Sequence, residues 1–156
     1  MASPEKRAAG RRAAEFVETG QRVGRGTGST VFFTLERLAE RIHEDGLEMV
    51  GVPTSVDTEK KATELGIPRS TLDEIEALDV TIDGADEIDG AFQMIKGGGG
   101  ALLREKVVAS ASHAMIAVVG ANKVVDRLGT TFDLPVEVVP CARAAVARRI
   151  RALGGV

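Results

Sequence analysis

Asp83-Gly84-Ala85-Asp86-Glu87-Ile88-Asp89, followed by Lys96-Gly97-Gly98-Gly99-Gly100 and then by Ala101-Leu102-Leu103-Arg104-Glu105-Lys106, is the stretch around which the rest of the chain is arranged. The apolar run at 78–82 reads as a strand ending in two aspartates that flank Gly-Ala. The run at 91–95 reads as a second strand ending in a lysine and four glycines, where a helix begins. Open α/β sheets bind ligands where strand ends deliver charged residues and glycines to a helix N-terminus, because backbone N–H groups and the positive helix end converge there.

Working outward, the same rhythm repeats. Ser3-Pro4-Glu5-Lys6 supplies an N-cap serine, a proline at the first helical position and an acid in the first turn, predicting a helix to about Val17 with Thr19-Gly20 as its stop. Arg22-Val23-Gly24 predicts a strand, Gly26-Thr27-Gly28-Ser29-Thr30 a turn, and the run from Val31 a helix ending near Asp45-Gly46. A second strand is expected over 47–52, a helix over 55–65 closed by Gly66, an extended piece from Ile67 and a helical turn over 71–77. Beyond the glycines a helix is expected over 101–112 and a buried strand over 114–119. Strands alternating with helices imply an α/β fold, a doubly wound and mostly parallel Rossmann-like sheet, here over residues 1–128. Past Gly129 the character changes. Residues 134–139 alternate like a half-exposed strand and 141–153 form a basic helix with Arg143, Arg148, Arg149 and Arg151, so 129–156 reads as the beginning of a small α+β second domain.

Bulk composition narrows the class. With 156 residues, 44% of them hydrophobic, the chain can bury one substantial core, and 28% charged residues fit a compact α/β domain rather than a disordered one. A net charge of -3 offers no general attraction to nucleic acid or anionic lipid, so neither is expected as a partner and an anionic ligand must be held by local groups. Cys141 is the single cysteine and cannot form an internal disulfide. Met1-Ala2-Ser3-Pro4-Glu5-Lys6 lacks the apolar run of a signal peptide, and no apolar stretch reaches the roughly 18 residues of a membrane span. A cytoplasmic location is the expectation.

Chemistry is concentrated in a few residues. On a helical wheel Glu105 shares an arc with Ala101, Leu102, Val108 and Ala109, and partial desolvation there would raise its pKa toward the range useful for moving a carbon-bound proton. An exposed glutamate pairing with Arg104 or Lys106 is the ordinary alternative, which its surroundings disfavour. Asp83 stands at a strand end and Asp86 one turn later, so these two are candidates for handling hydroxyl protons, while Glu87 and Asp89 suit loop solvation. The spacing of the four acids does not match a calcium loop and no Cys or His lies nearby, so no metal is expected. Lys96 could neutralise a developing oxyanion. The Gly-Thr-Gly-Ser-Thr turn could cradle an anion or be no more than a tight βα turn, since it lacks the lysine of a P-loop and the third glycine of a dinucleotide fingerprint. His43 and His113 read as structural or solvent-facing.

Taken together, Gly26-Thr27-Gly28-Ser29-Thr30, Asp83-Gly84-Ala85-Asp86-Glu87-Ile88 and Lys96-Gly97-Gly98-Gly99 with the Arg104-Glu105-Lys106 triplet resemble the type A ribose-5-phosphate isomerases. The similarity extends to Gly120-Ala121-Asn122-Lys123 and Leu134-Pro135-Val136-Glu137-Val138. The resemblance implies a cofactor-free, metal-free aldose–ketose isomerisation of D-ribose 5-phosphate to D-ribulose 5-phosphate through an enediolate. It implies Glu105 as base, Asp83, Asp86 and Lys96 as its catalytic partners, and a substrate site built from Thr27, Gly28, Ser29, Thr30, Gly84, Ala85, Gly97, Gly98, Gly99, Lys123 and Lys6. A homo-oligomer, dimer or tetramer, is likewise implied. Arg25 stands where the family usually has an apolar residue, and Pro53-Thr54-Ser55 where it usually has two serines. Family members usually run on by some seventy residues. That length leads to the expectation that the isolated chain, stopping at Gly154-Gly155-Val156, associates and has low activity. The alternatives are a truncated, non-catalytic sugar-phosphate-binding module and, more remotely, a nucleotide-binding βαβ domain.

Overall fold

A computed structural model describes residues 3–155. Met1, Ala2 and Val156, with the sequence readings that rest on them, lie outside the described residues. Helix α1 (Pro4–Ala14) begins where its signals place it, with extended Ser3 at the N-cap position, Pro4 first and Arg11 and Arg12 in the last turn, but the Ser3 side chain makes no capping hydrogen bond among the described residues. It closes sooner than expected: the amides of Phe16 and Val17 bond to the carbonyls of Ala13 and Ala14, tightening the turn that buries Val17. Strand β1 (Arg22–Arg25) then leads through Gly28, whose φ of 117° only glycine adopts readily, into α2 (Ser29–Glu44). The apolar stripe Val31, Leu35, Leu38 and Ala39 is buried at helical spacing. With Leu38 at 0% exposure, Leu38→Ala costs roughly 2–5 kcal/mol.

Strand β2 (Val50–Pro53) starts later than residue 47, because Leu47 N–H turns back to the Arg41 carbonyl and the Glu48 carbonyl accepts from Gly20 N–H. Helix α3 (Val56–Glu64) is capped by Ser55, whose hydroxyl accepts from Thr58 N–H at 3.1 Å. Residues 71–75 make one hydrogen-bonded turn ahead of β3 (Leu78–Asp83). Helix α4 (Leu102–Ser110) is shorter than read from the sequence, since Ser112 already opens β6 (Ser112–Ala117) and hydrogen-bonds Thr81 of β3 at 2.6 Å. The strand expected over 114–119 is therefore displaced toward the N-terminus.

All neighbours in the β2-β1-β3-β6 sheet are parallel, with Val23 opposite both Gly51 and Val80. One face carries α1, α2 and α3 over Val23, Leu38, Ala62, Val80 and Ile82. The other carries α4 and the 71–75 turn over Val52, Leu78 and Val108. The expected mostly parallel α/β fold is present, and its loops after β1, β3 and β6 share one sheet edge.

Two expectations do not hold. Residues 91–95 are not a strand of this sheet: β4 (Glu87–Ile88) and β5 (Met94–Ile95) form a separate antiparallel ribbon, whose turn Asp89 closes by accepting from Ala91 and Gln93 N–H. Residues 134–139 form no strand, because no segment among the described residues pairs with them, and Leu134, Val136 and Val139 are exposed. A 3-10 turn (Pro140–Ala142) then leads into α5 (Arg143–Ala152), which buries none of its residues. No helix among the described residues is long and apolar enough to cross a membrane.

Candidate active site

The end of β3 and the β4–β5 ribbon converge on one cluster. Asp83 is fully buried; its Oδ1 accepts from Gly84 N–H at 2.7 Å and Thr27 N–H at 3.2 Å, and its Oδ2 lies 3.0 Å from Lys96 Nζ. A Cβ at position 26 would sit on this carboxylate, so Gly26 is what lets the β1 loop close over Asp83. Lys96 leaves β5, donates to the Gly84 carbonyl and stands 3.2 Å from Glu105 Oε2. One ammonium thus lies between two carboxylates, one at a strand end and one in the first turn of α4.

Glu105 is 6% exposed. Burial pushes its pKa above the ordinary carboxylate range and the nearby Asp83 charge adds to this, while Lys96 opposes both. The result is a carboxylate more basic than a solvated one, held beside a cation. Asp86 is only half-buried and its Oδ2 accepts from Gly98 N–H at 2.8 Å, which ties the glycine run to the ribbon.

These groups open onto a cavity of about 290 Å³. Lys96, Glu105 and Asp86 stand on its wall with Gly84, Ala85, Gly97 and Gly99, and the opposite end is formed by Thr27, Gly28, Ser29 and Thr30 at the start of α2. Lys6 reaches that end, donating to Ser29 Oγ at 3.0 Å, and Lys123 joins it from a 3-10 turn (Ala121–Lys123). Unpaired helix N–H groups and two ammonium groups suit a phosphate there. The chain therefore gathers almost every residue singled out in the sequence. The exceptions are Asp83, beneath Lys96 rather than on the wall, and Gly98, where a Cβ would lie 2.7 Å from both Asp86 and Phe132.

The family model for ribose 5-phosphate isomerase A (phosphoriboisomerase A) matches residues 50–156. The chain belongs to this family. Ribose-5-phosphate isomerase A of Parvibaculum lavamentivorans is 53% identical over 149 residues, covering 96% of this chain and 64% of that protein. Its counterpart from Listeria innocua is 56% identical over 136 residues, covering 87% and 60%. The chain thus spans less than two thirds of the length of these curated relatives. The crystal structure of ribose 5 phosphate isomerase A from Neisseria gonorrhoeae superposes with a TM-score of 0.90 at 43% identity, over 99% of this chain and 68% of that one. A D-ribose-5-phosphate isomerase solved in complex with phospho-erythronic acid gives 0.91 at 36%, over 95% and 65%.

Within this family framework, three features escaped the sequence reading. Glu87, expected in solvent, is fully buried and takes four hydrogen bonds from residues 129–132. Four hydroxyls meet under the β1 loop, where Thr27 Oγ1 lies 2.8–3.2 Å from those of Thr54, Ser55 and Thr58, and Thr58 in turn donates to the Gly26 carbonyl. The third is Asn122, on the cavity wall beside Lys123. Only the last had a signal, in the Gly-Ala-Asn-Lys match; partners distant in sequence leave no local pattern. His43 and His113 play no part: His43 bonds the Leu65 carbonyl, and exposed His113 lies in β6 rather than at a helix exit.

Proposed function

We propose that the chain carries the site of an aldose–ketose isomerase interconverting D-ribose 5-phosphate and D-ribulose 5-phosphate through an enediolate. The observation that carries this reading is Glu105: a buried, more basic carboxylate beside Lys96, at one end of a cavity whose other end is built for a phosphate. A relative's structure in complex with phospho-erythronic acid supports the same ligand class.

With the phosphate at the start of α2, near Ser29, Thr30, Lys6 and Lys123, the opposite end of an open-chain sugar lies among Glu105, Lys96 and Asp86. Glu105 takes the proton from C2 of the aldose and its electron pair moves into the C1–C2 bond as charge builds on O1. Lys96 stabilises that charge. Glu105 then returns the proton to C1 to give the ketose, while Asp86 accepts and donates hydroxyl protons during ring opening and transfer between O1 and O2. Asp83 acts mainly through Lys96, whose ammonium it holds in place. The proposal extends to a cytoplasmic homo-oligomer, in which exposed Leu134, Val136, Val139 and Leu153 supply apolar surface.

Ribose 5-phosphate incubated with the chain in deuterated water should acquire solvent deuterium at the exchanging carbon. Glu105→Gln preserves shape and removes the base, and should lower kcat by at least about 10²-fold with KM nearly unchanged. Near-normal turnover by this variant would remove Glu105 from the role, and binding without exchange in the parent would favour a non-catalytic binding module.

A further inference from the structure

One fully buried carboxylate has no part in the chemistry above. Asp86 and Glu87 are consecutive, so their side chains leave the ribbon on opposite faces: Asp86 reaches Gly98 beside the cavity and Glu87 reaches into residues 129–132. Glu87 Oε1 accepts from Thr131 N–H, from Thr131 Oγ1 at 2.7 Å and from Phe132 N–H at 2.8 Å, while Oε2 accepts from Gly129 N–H. The Thr131 hydroxyl above all, together with these amides, holds its pKa near 2, so the anchor is ionised throughout the neutral range.

The tethered segment in turn touches two parts of the site. The Phe132 ring lies against Gly98, where a Cβ would come within 2.7 Å of its edge, and Lys123 Nζ stands 5.7 Å from its centroid. Three residues on, Pro135 backs Gly97 at 3.2 Å from the corresponding Cβ position. The segment is therefore a back wall shared by the glycine run and by Lys123, and a four-bond carboxylate fixes its near end.

We propose that Glu87 is a positioning residue: by pinning residues 129–132 it sets Phe132, and through Phe132 it sets Lys123 and the glycine run in the geometry that grips a phosphorylated sugar. The identity of that sugar rests on the isomerase reading; the mechanical link does not. A merely structural tether would change stability and leave ligand affinity alone.

The test is a double-mutant cycle with Glu87→Ala and Phe132→Ala, read by steady-state kinetics with ribose 5-phosphate and by calorimetric binding of inorganic phosphate, with urea midpoints as the measure of folding. Each single variant should raise KM and the phosphate Kd by about tenfold while kcat changes by less than about threefold. The double variant should be no worse than Glu87→Ala, because both act through one link. Glu87→Gln, which keeps one carbonyl acceptor, should recover part of the loss. Additive losses, or lowered midpoints with unchanged KM and Kd, overturn the proposal. Should Glu87→Ala fail to fold, Phe132→Ala decides it: phosphate binding equal to the parent's in that variant refutes the link. A parent that binds phosphate but does not turn over ribose 5-phosphate would sink the isomerase reading while the phosphate cycle still judges Glu87. A parent that binds neither overturns both.

Discussion

Replacing Arg25 by methionine should make the protein more stable. Arg25 ends β1 and is 1% exposed, with its side chain lying across Gly51 of β2. Its Nη2 donates to the Gly51 carbonyl at 3.1 Å, while Nε and Nη1 have no hydrogen-bond partner among the described residues. Burial, and then the nearby Arg69 charge, lower its pKa to about 10. At about 1.4 kcal/mol per tenfold, that depression corresponds to a cation destabilised in the folded state by about 3 kcal/mol. The guanidinium stays protonated across the neutral range, so the penalty applies there in full. Methionine removes the charge, and Ser70 N–H continues to satisfy the Gly51 carbonyl at 3.1 Å. Its smaller volume returns about 1 kcal/mol as imperfect packing. The net gain is about 2 kcal/mol at pH 7, or about 4–8 °C in Tm for a chain of this length. Urea denaturation and calorimetry of parent and Arg25→Met measure this directly, with Arg25→Lys as the control that keeps a buried charge. An unchanged or lower midpoint for Arg25→Met would mean that the guanidinium has a compensating partner, and the reasoning would fail.

Three further outcomes follow from the charges of the cavity. Because Glu105 must be ionised to serve as the proposed base and its folded pKa is raised, kcat/KM should fall as pH drops through a value above the ordinary glutamate range of about 4.3; an acid limb at or below that range would contradict the assignment. For the same reason Glu105→Gln should be more stable than the parent at pH 7, with the difference shrinking as pH falls through the raised pKa, as paired thermal melts would show. If Lys123, on the cavity wall, holds the phosphate as proposed, that contact is made equally in ground and transition states, so Lys123→Ala should raise KM for the phosphorylated sugar more than it lowers kcat. Calorimetric affinity equal to the parent's would place the phosphate elsewhere.

The chain's local patterns settled a great deal. Period, caps and glycines located α1, α2, α3, β1 and β3 to within a few residues, because propensity and burial pattern agree there. The three motifs named the residues that meet around the cavity, since each is a contiguous run at a strand end or helix start. Where local signals conflicted with available partners, they misled. The alternation at 134–139 invites a strand, but a strand exists only where a neighbour accepts its hydrogen bonds. The apolar run at 91–95 contributes only Met94 and Ile95 to a ribbon whose other strand, Glu87 and Ile88, sits inside what reads as an acidic loop.

Tertiary structure alone decided which acids face water. Asp83, Asp86 and Glu87 look alike in the sequence, yet one is sealed under Lys96, one stands on the cavity wall and one is buried against residues 129–132. The acceptor strength of a carboxylate is the same in each case; what differs is which donors the fold brings to it. Gly129, Thr131 and Phe132 lie more than forty residues beyond Glu87, and the amide of Thr27 lies 56 residues before Asp83. Residue type and spacing set the chemistry available at each position, but long-range donors and burial set the protonation and orientation that turn a carboxylate into a base, a clamp or an anchor.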